Sequence, residues 1–170
     1  MKKVTVEIPE GKVLEREGDI FRIVDEEPIT ERVKTWDDAL REKVGEVHLR
    51  ESEESGNWSD TMGAFLRLRV IVEALNEGWR PYGEERRWFP DITITTPNKA
   101  ETMNKFTPEG VIHPIKRPER TNEVAFIAPV FDVADSWEHP ACLALKSREL
   151  AVYAGTQFLG DWIDLYAEII

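Results

Sequence analysis

Cysteine is nearly missing from this chain: Cys142 is the single one in 170 residues. One thiol cannot close an intramolecular disulfide, and a thiolate zinc site would lack ligands. Its neighbours Ala141, Leu143, Ala144 and Leu145 are apolar. The run therefore predicts a short strand, with Cys142 as a buried, inert thiol. Positive charge is also scarce. Lys and Arg number 22 against 33 Asp and Glu, a formal charge of −11. Such a surface repels phosphate backbones, which argues against direct nucleic-acid binding through a basic face. No apolar run approaches the ~20 residues that cross a bilayer. The opening Met1-Lys2-Lys3-Val4-Thr5-Val6-Glu7-Ile8 has no continuous apolar segment of the signal-peptide kind. A soluble protein made in a cytosol is expected.

Catalytic signatures are lacking too. His48, His113 and His139 stand apart, and no pair has the i, i+4 spacing of a zinc-binding helix. There is no phosphate-cradling Gly-rich loop and no Gly-x-Ser-x-Gly elbow. Cys142 beside His139 would suggest a thiol nucleophile, but the apolar run around it opposes that. Asp132 and Asp135, near Trp137 and Glu138, would suit sugar cleavage only if a cleft held them about 5–9 Å apart. They read more simply as turn residues. The expectation is no catalytic residue, no cofactor and no metal.

What is present is the pattern of one α+β domain over residues 1–170, large enough to hide roughly 70% of its unfolded surface. Val4, Val6 and Ile8 alternate with Thr5 and Glu7 as a strand. Lys12 to Arg16 and Ile20 to Val24 flank Glu17-Gly18-Asp19, where glycine supplies the positive φ of a tight hairpin. Residues 1–27 thus predict a β meander. Thr35, three positions before Asp38, predicts a capping box for a helix through Trp36, Ala39, Leu40 and Val44, with Gly45 at its end. Residues 46–57 read as an acidic surface loop. Ser59 opens a second helix whose Ala64, Phe65, Leu68, Ile71, Val72 and Leu75 recur at helical spacing. Gly78 ends it, with Trp79 clamping the last turn. Residues 81–122 read as a Pro-rich, irregular excursion. Within it Asp91 to Thr95 predicts a strand and Val111-Ile112 a short one. Thr96 to Arg120 shows no helical period. Val124 to Val133 predicts a strand whose Pro129 points to an edge or a bulge. Ser147 caps a terminal helix from Arg148 to about Glu168, in which Gly155 and Gly160 suit close approach to another element. A helix so near the end predicts a docked terminus and a complete domain. The expected architecture is an antiparallel sheet from the N-terminal meander and strands of the C-terminal half, packed against two main amphipathic helices.

Aromatic residues cluster. Trp79 to Phe89 holds two of the six tryptophans together with Tyr82, Phe89 and the cations Arg80, Arg86 and Arg87. Aromatics and arginine are the residues that dominate protein interfaces. Trp58, Trp79, Tyr82, Arg86, Arg87 and Trp88 are accordingly the candidate protein-binding residues. The plainer reading is that Trp79, Trp88 and Phe89 close the core while Arg86 and Arg87 balance Glu84 and Glu85.

Two stretches, Phe65 to Trp79 (FLRLRVIVEALNEGW) and Leu145 to Phe158 (LKSRELAVYAGTQF), join Thr35-Trp36-Asp37-Asp38-Ala39 and the N-terminal meander in a wider likeness. Together they resemble an uncharacterised family of short acidic proteins from gut Bacteroidales and their bacteriophages. The likeness covers about half of the chain, and residues 81–140 do not follow it. It brings no catalytic residues and implies a phage or mobile-element setting. The function expected is then a non-enzymatic virion accessory, structural or assembly component. It would bind other proteins of phage or host, in the bacterial cytoplasm or in the virion, and as a homo-oligomer if copies associate. Two alternatives are an acidic nucleic-acid mimic that inhibits a host defence protein, and a hydrolase with an unfamiliar site. The mimic predicts negative charge gathered on one face. The hydrolase predicts His113 or His139 meeting a carboxylate in a pocket.

Overall fold

The computed structural model describes residues 5–42, 60–83, 85–115, 122–132 and 139–166. It shows an α+β fold of helices with two separate antiparallel sheets. The first sheet is a hairpin of β1 (Lys12–Glu17) and β2 (Ile20–Asp25). Gly18 at φ +63° makes the turn, and glycine reaches that conformation without steric cost. The hairpin is not the extended meander expected. Residues 5–9 form no strand, and Val6 and Ile8 are about half exposed. Nor does it join the second sheet.

Two short helices follow, α1 (Ile29–Arg32) and α2 (Trp36–Glu42). The capping box forms: Asp38 N–H donates to Thr35 Oγ1 at 3.2 Å, and Thr35 N–H donates to Asp38 Oδ2 at 2.8 Å. These bonds hold the Asp38 carboxyl below its usual range, the Thr35 side chain first. The end expected at Gly45 and the start expected at Ser59 lie outside the described residues. Helix α3 (Asp60–Leu75) is the central element. Leu68, Ile71, Val72 and Leu75 of its stripe are fully enclosed, as is Val70, which lies off that stripe. Its Arg67 bonds Asp161 at 2.6 Å across to the last helix.

The second sheet has the order β3-β5-β4, with β3 (Arg87–Thr95), β4 (Val111–Pro114) and β5 (Val124–Asp132). The described parts of residues 81–122 carry regular structure. They hold two strands and helix α4 (Pro97–Phe106). Prolines hid that helix, yet Pro97 occupies its first turn, where the missing N–H costs nothing, and Pro108 lies past its end. Pro129 sits in the central strand, directly opposite Pro90. Two facing prolines fit only where each nitrogen points away from the partner strand. Beyond Ile127, β4 no longer pairs with that flank of β5, so the missing donor leaves no rung unmade.

The sheet is covered on both faces. Ala125 and Ile127 pack with Ile92, Ile94, Leu159 and Ile163, while Phe126 and Ala128 pack with Ala100 and Met103 of α4. The main core lies among α1–α3, α5 and α6, with Phe89 of β3 and Leu143, Ala144 and Leu145 built into it. The run 141–145 is not a strand. Residues Ala141–Leu143 form a 3-10 helix, and only Leu145 bridges to Trp88. The terminal helix is likewise not continuous. It breaks at buried Phe158 (φ −111°, ψ 31°) into α5 (Arg148–Gln157) and α6 (Leu159–Tyr166). Ser147 caps α5 as expected, accepting from Leu150 N–H at 3.3 Å. Gly155 gives the expected close approach. A Cβ there would lie 2.7 Å from both Ile127 Cγ2 and Pro90 Cβ. Gly160 gives none, since a Cβ there would meet nothing within 4 Å.

Candidate protein-contact surface

After Leu75 the chain reverses through Glu77 (φ +50°) and Gly78 (φ +86°), and Trp79 N–H donates to Asn76 C=O at 2.9 Å. Asn76 is the buried polar residue at this corner. Its Nδ2 donates to Ala144 C=O at 2.8 Å, and its Oδ1 accepts from Lys146 N–H at 3.0 Å. One side chain thereby ties the chain after the 3-10 helix to the end of α3. Glu77 adds an ion pair with Lys146 at 2.7 Å and another with Arg32 at 2.5 Å. The Lys146 hydrogen bond, opposed by partial burial and aided by the charges of Lys146 and Arg32, lowers the Glu77 carboxyl below its ordinary value. Arg32 also meets Glu26 at 3.3 Å and Glu42 at 2.5 Å.

Next comes a turn at Gly83 (φ +58°), with Glu85 N–H donating to Tyr82 C=O at 3.3 Å. Tyr82 projects outward, 85% exposed. Arg86 lays its guanidinium 5.3 Å from the centre of the Phe131 ring, within cation–π range. Phe131 is 48% exposed and stands opposite Trp88 in the β3–β5 register. The two rings meet edge to face, centroids 6.0 Å apart. Arg86, Trp88 and Phe131 thus meet where β3 begins and β5 ends, and Tyr82 stands exposed in the turn just before β3.

The other expected residues separate. Trp58 lies outside the described residues. Arg87 serves the local backbone: one guanidinium nitrogen donates to Gly83 C=O at 3.4 Å, and its Nε is buried without a partner. Trp79 packs its ring against the main core and also walls a groove of about 300 Å³. Val72, Arg69, Arg80 and Cys142 share that groove. Cys142 is exposed, not buried as the apolar run suggested. The 3-10 helix turns Leu143 inward instead, leaving Leu143 at 1% exposure. Among the groove's cations Arg80 bonds Glu73 at 3.2 Å, whereas Arg69 has no ion-pair or hydrogen-bond partner among the described residues.

The imidazoles do not converge on an acid within the described contacts. His113 Nδ1 sits 3.0 Å from Pro114 C=O. His139 stacks on Phe89, centroids 4.7 Å apart, and its Nδ1 lies 3.3 Å from the Tyr166 hydroxyl. Burial, with a smaller effect from the charge of Asp91, pushes Tyr166 up to about 12. His48, Asp135, Trp137 and Glu138 lie outside the described residues. Among the described residues no three His, Cys, Asp or Glu side chains group as a metal site would need, and no helix is long and apolar enough to cross a membrane.

Sequence reasoning missed Phe131, Arg69 and Asn76. Phe131 could be found only through the strand register, because 43 positions separate it from Trp88. Asn76, one step before a reversal signalled by Gly78, carried a local hint. No family, curated protein or solved structure matches this chain.

Proposed function

We propose that this chain is a non-enzymatic binding protein, an accessory, structural or assembly component of a phage or mobile element. Its partners are other proteins of phage or host, met in the bacterial cytoplasm or in the virion. The observation that supports the reading is the cluster of Arg86, Trp88 and Phe131, with Tyr82 exposed in the turn before it. Arg86 lies over the Phe131 ring, a contact that lowers the side-chain entropy a partner's arrival would cost. Aromatic residues with arginine are what interface hot spots use. The strongly acidic surface around them keeps the free protein soluble.

The test is mass spectrometry of purified particles from the element that encodes the chain. Presence at many copies per particle is the expected result, and absence rejects the virion role. In parallel, Tyr82→Ala and Arg86→Ala are expected to fold normally and to weaken retention on the particle at least ~10-fold, as interface anchors do. Unchanged retention in both would place the contact surface elsewhere.

A further inference from the structure

We propose that the groove between the end of α3 and the 3-10 helix takes an acidic peptide segment of a partner protein, its carboxylate on Arg69 and an adjoining apolar side chain on Trp79. The identity of the occupant as protein rests on the binding reading above; the groove's chemistry stands by itself. The guanidiniums on and beside α3 are otherwise committed to carboxylates: Arg67 on Asp161, Arg80 on Glu73, and Arg32 on three glutamates. Arg69 is exposed and lines a concavity whose one acid, Glu73, is bonded by Arg80, so that Arg69 itself has no carboxylate partner among the described residues. A guanidinium offers a planar fork that a carboxylate fills with two charge-assisted bonds. Beside it Trp79 and Pro81 provide apolar wall. Asn76 at the base has its amide engaged by Ala144 and Lys146, so the floor is fixed rather than free to follow the ligand. The volume, about 300 Å³, is at the small end of ligand pockets. It suits one or two side chains of a peptide better than a large cofactor.

Cys142 makes the groove measurable. It is the only cysteine, it is exposed, and it lines the same wall. The experiment follows the rate of Cys142 alkylation by iodoacetamide while the peptide acetyl-Gly-Phe-Glu-Leu-Gly-amide is added. Protection is expected to saturate with a Kd of roughly 10 μM to 1 mM. The peptide with Gln in place of Glu is expected to bind at least ~10-fold more weakly, since the charge-assisted bonds are lost. Arg69→Met removes the guanidinium without stranding a partner, so it is expected to keep the parent's melting temperature and lose protection. The Trp79 ring also packs on the core, so Trp79→Leu is expected to lower the melting temperature as well as the protection, and the peptide's Kd is read on the folded variant well below its melt. No protection by the Glu peptide up to about 1 mM, equal binding of the Gln peptide, or full protection in Arg69→Met overturns the proposal. Protection by phenylpropionate at lower concentration than by the peptide also overturns it, reassigning the groove to a small free carboxylate. Absence of the chain from particles would sink the virion role and leave this titration untouched.

Discussion

At the residue scale, two glycines of similar sequence context separate cleanly. Both sit in helical segments, and both looked like sites of close approach. Only Gly155 is one. An added methyl there would strike Ile127 and Pro90, two side chains held by the sheet core. Gly155→Ala gains up to ~1 kcal/mol of helix propensity but forces overpacking of about 1–3 kcal/mol. The clash wins, because neither neighbour is the loose end of a flexible chain. Gly160→Ala meets open space and is expected to stabilise by about 0.5–1 kcal/mol. Urea melts of the two variants check both signs at once. Sequence alone could not separate them, since the difference lies in what a distant strand places beside each. Cys142 teaches the same lesson. Its neighbours are apolar, but a 3-10 turn points Leu143 inward and leaves the thiol outside.

At the scale of elements, capping chemistry was the most legible part of the chain. Thr35 with Asp38, Ser147 before α5, and Gly18 in the hairpin each act through bonds two to four residues long. Such local chemistry is written where it operates. The joints between elements are not. The 3-10 helix reaches α3 through Asn76, a contact spanning 68 positions; the Gly78 reversal beside Asn76 hints at a turn but not at the distant partner. Asn76→Ala strands a buried carbonyl and a part-buried N–H together. A loss of about 2–3 kcal/mol is expected, at the upper end for paired hydrogen bonds whose partners cannot reach water. Chemical denaturation reads the total. Amide exchange at Lys146 should accelerate by more than the global change if the joint opens locally. Helix α4 was obscured for a related reason: Pro97 and Pro108 bracket it, and flanking prolines resemble breakers when the strand pairings around them are unknown.

At the scale of the whole molecule, the acid excess is managed by a few cations at the junction of elements. Arg32 and Lys146 join the stretch before β-rich residues 87–132 to α1, α2 and the chain entering α5, with Glu77 between them. The Glu77 carboxyl is lowered from an ordinary 4.5, so its contribution is complete above that value and fades as pH falls through the folded value. Tyr166 behaves oppositely. It is raised from 10.0 to about 12, so its contribution is complete below pH 10 and is lost as pH climbs through 12. Two units correspond to about 3 kcal/mol. Unfolding free energy measured against pH should therefore drop on both sides of a neutral plateau. The acid limb should be shallower in Glu77→Gln, and the alkaline limb shallower in Tyr166→Phe. Identical limbs in parent and variants would show that other groups control both. The α+β class and the second helix could be read from composition and periodicity, while the division into two sheets could not, because strand partners are set by packing over long separations.

The facing prolines of β3 and β5 have a further consequence. Each ring nitrogen tolerates only the side of its strand that makes no ladder bond. A slide of one residue would reverse one strand's facing against the other and turn one of those two nitrogens into the gap between them. The pair thus works as a keyway: during folding it admits alignments of one parity and rejects every other, before the helices arrive to finish the selection.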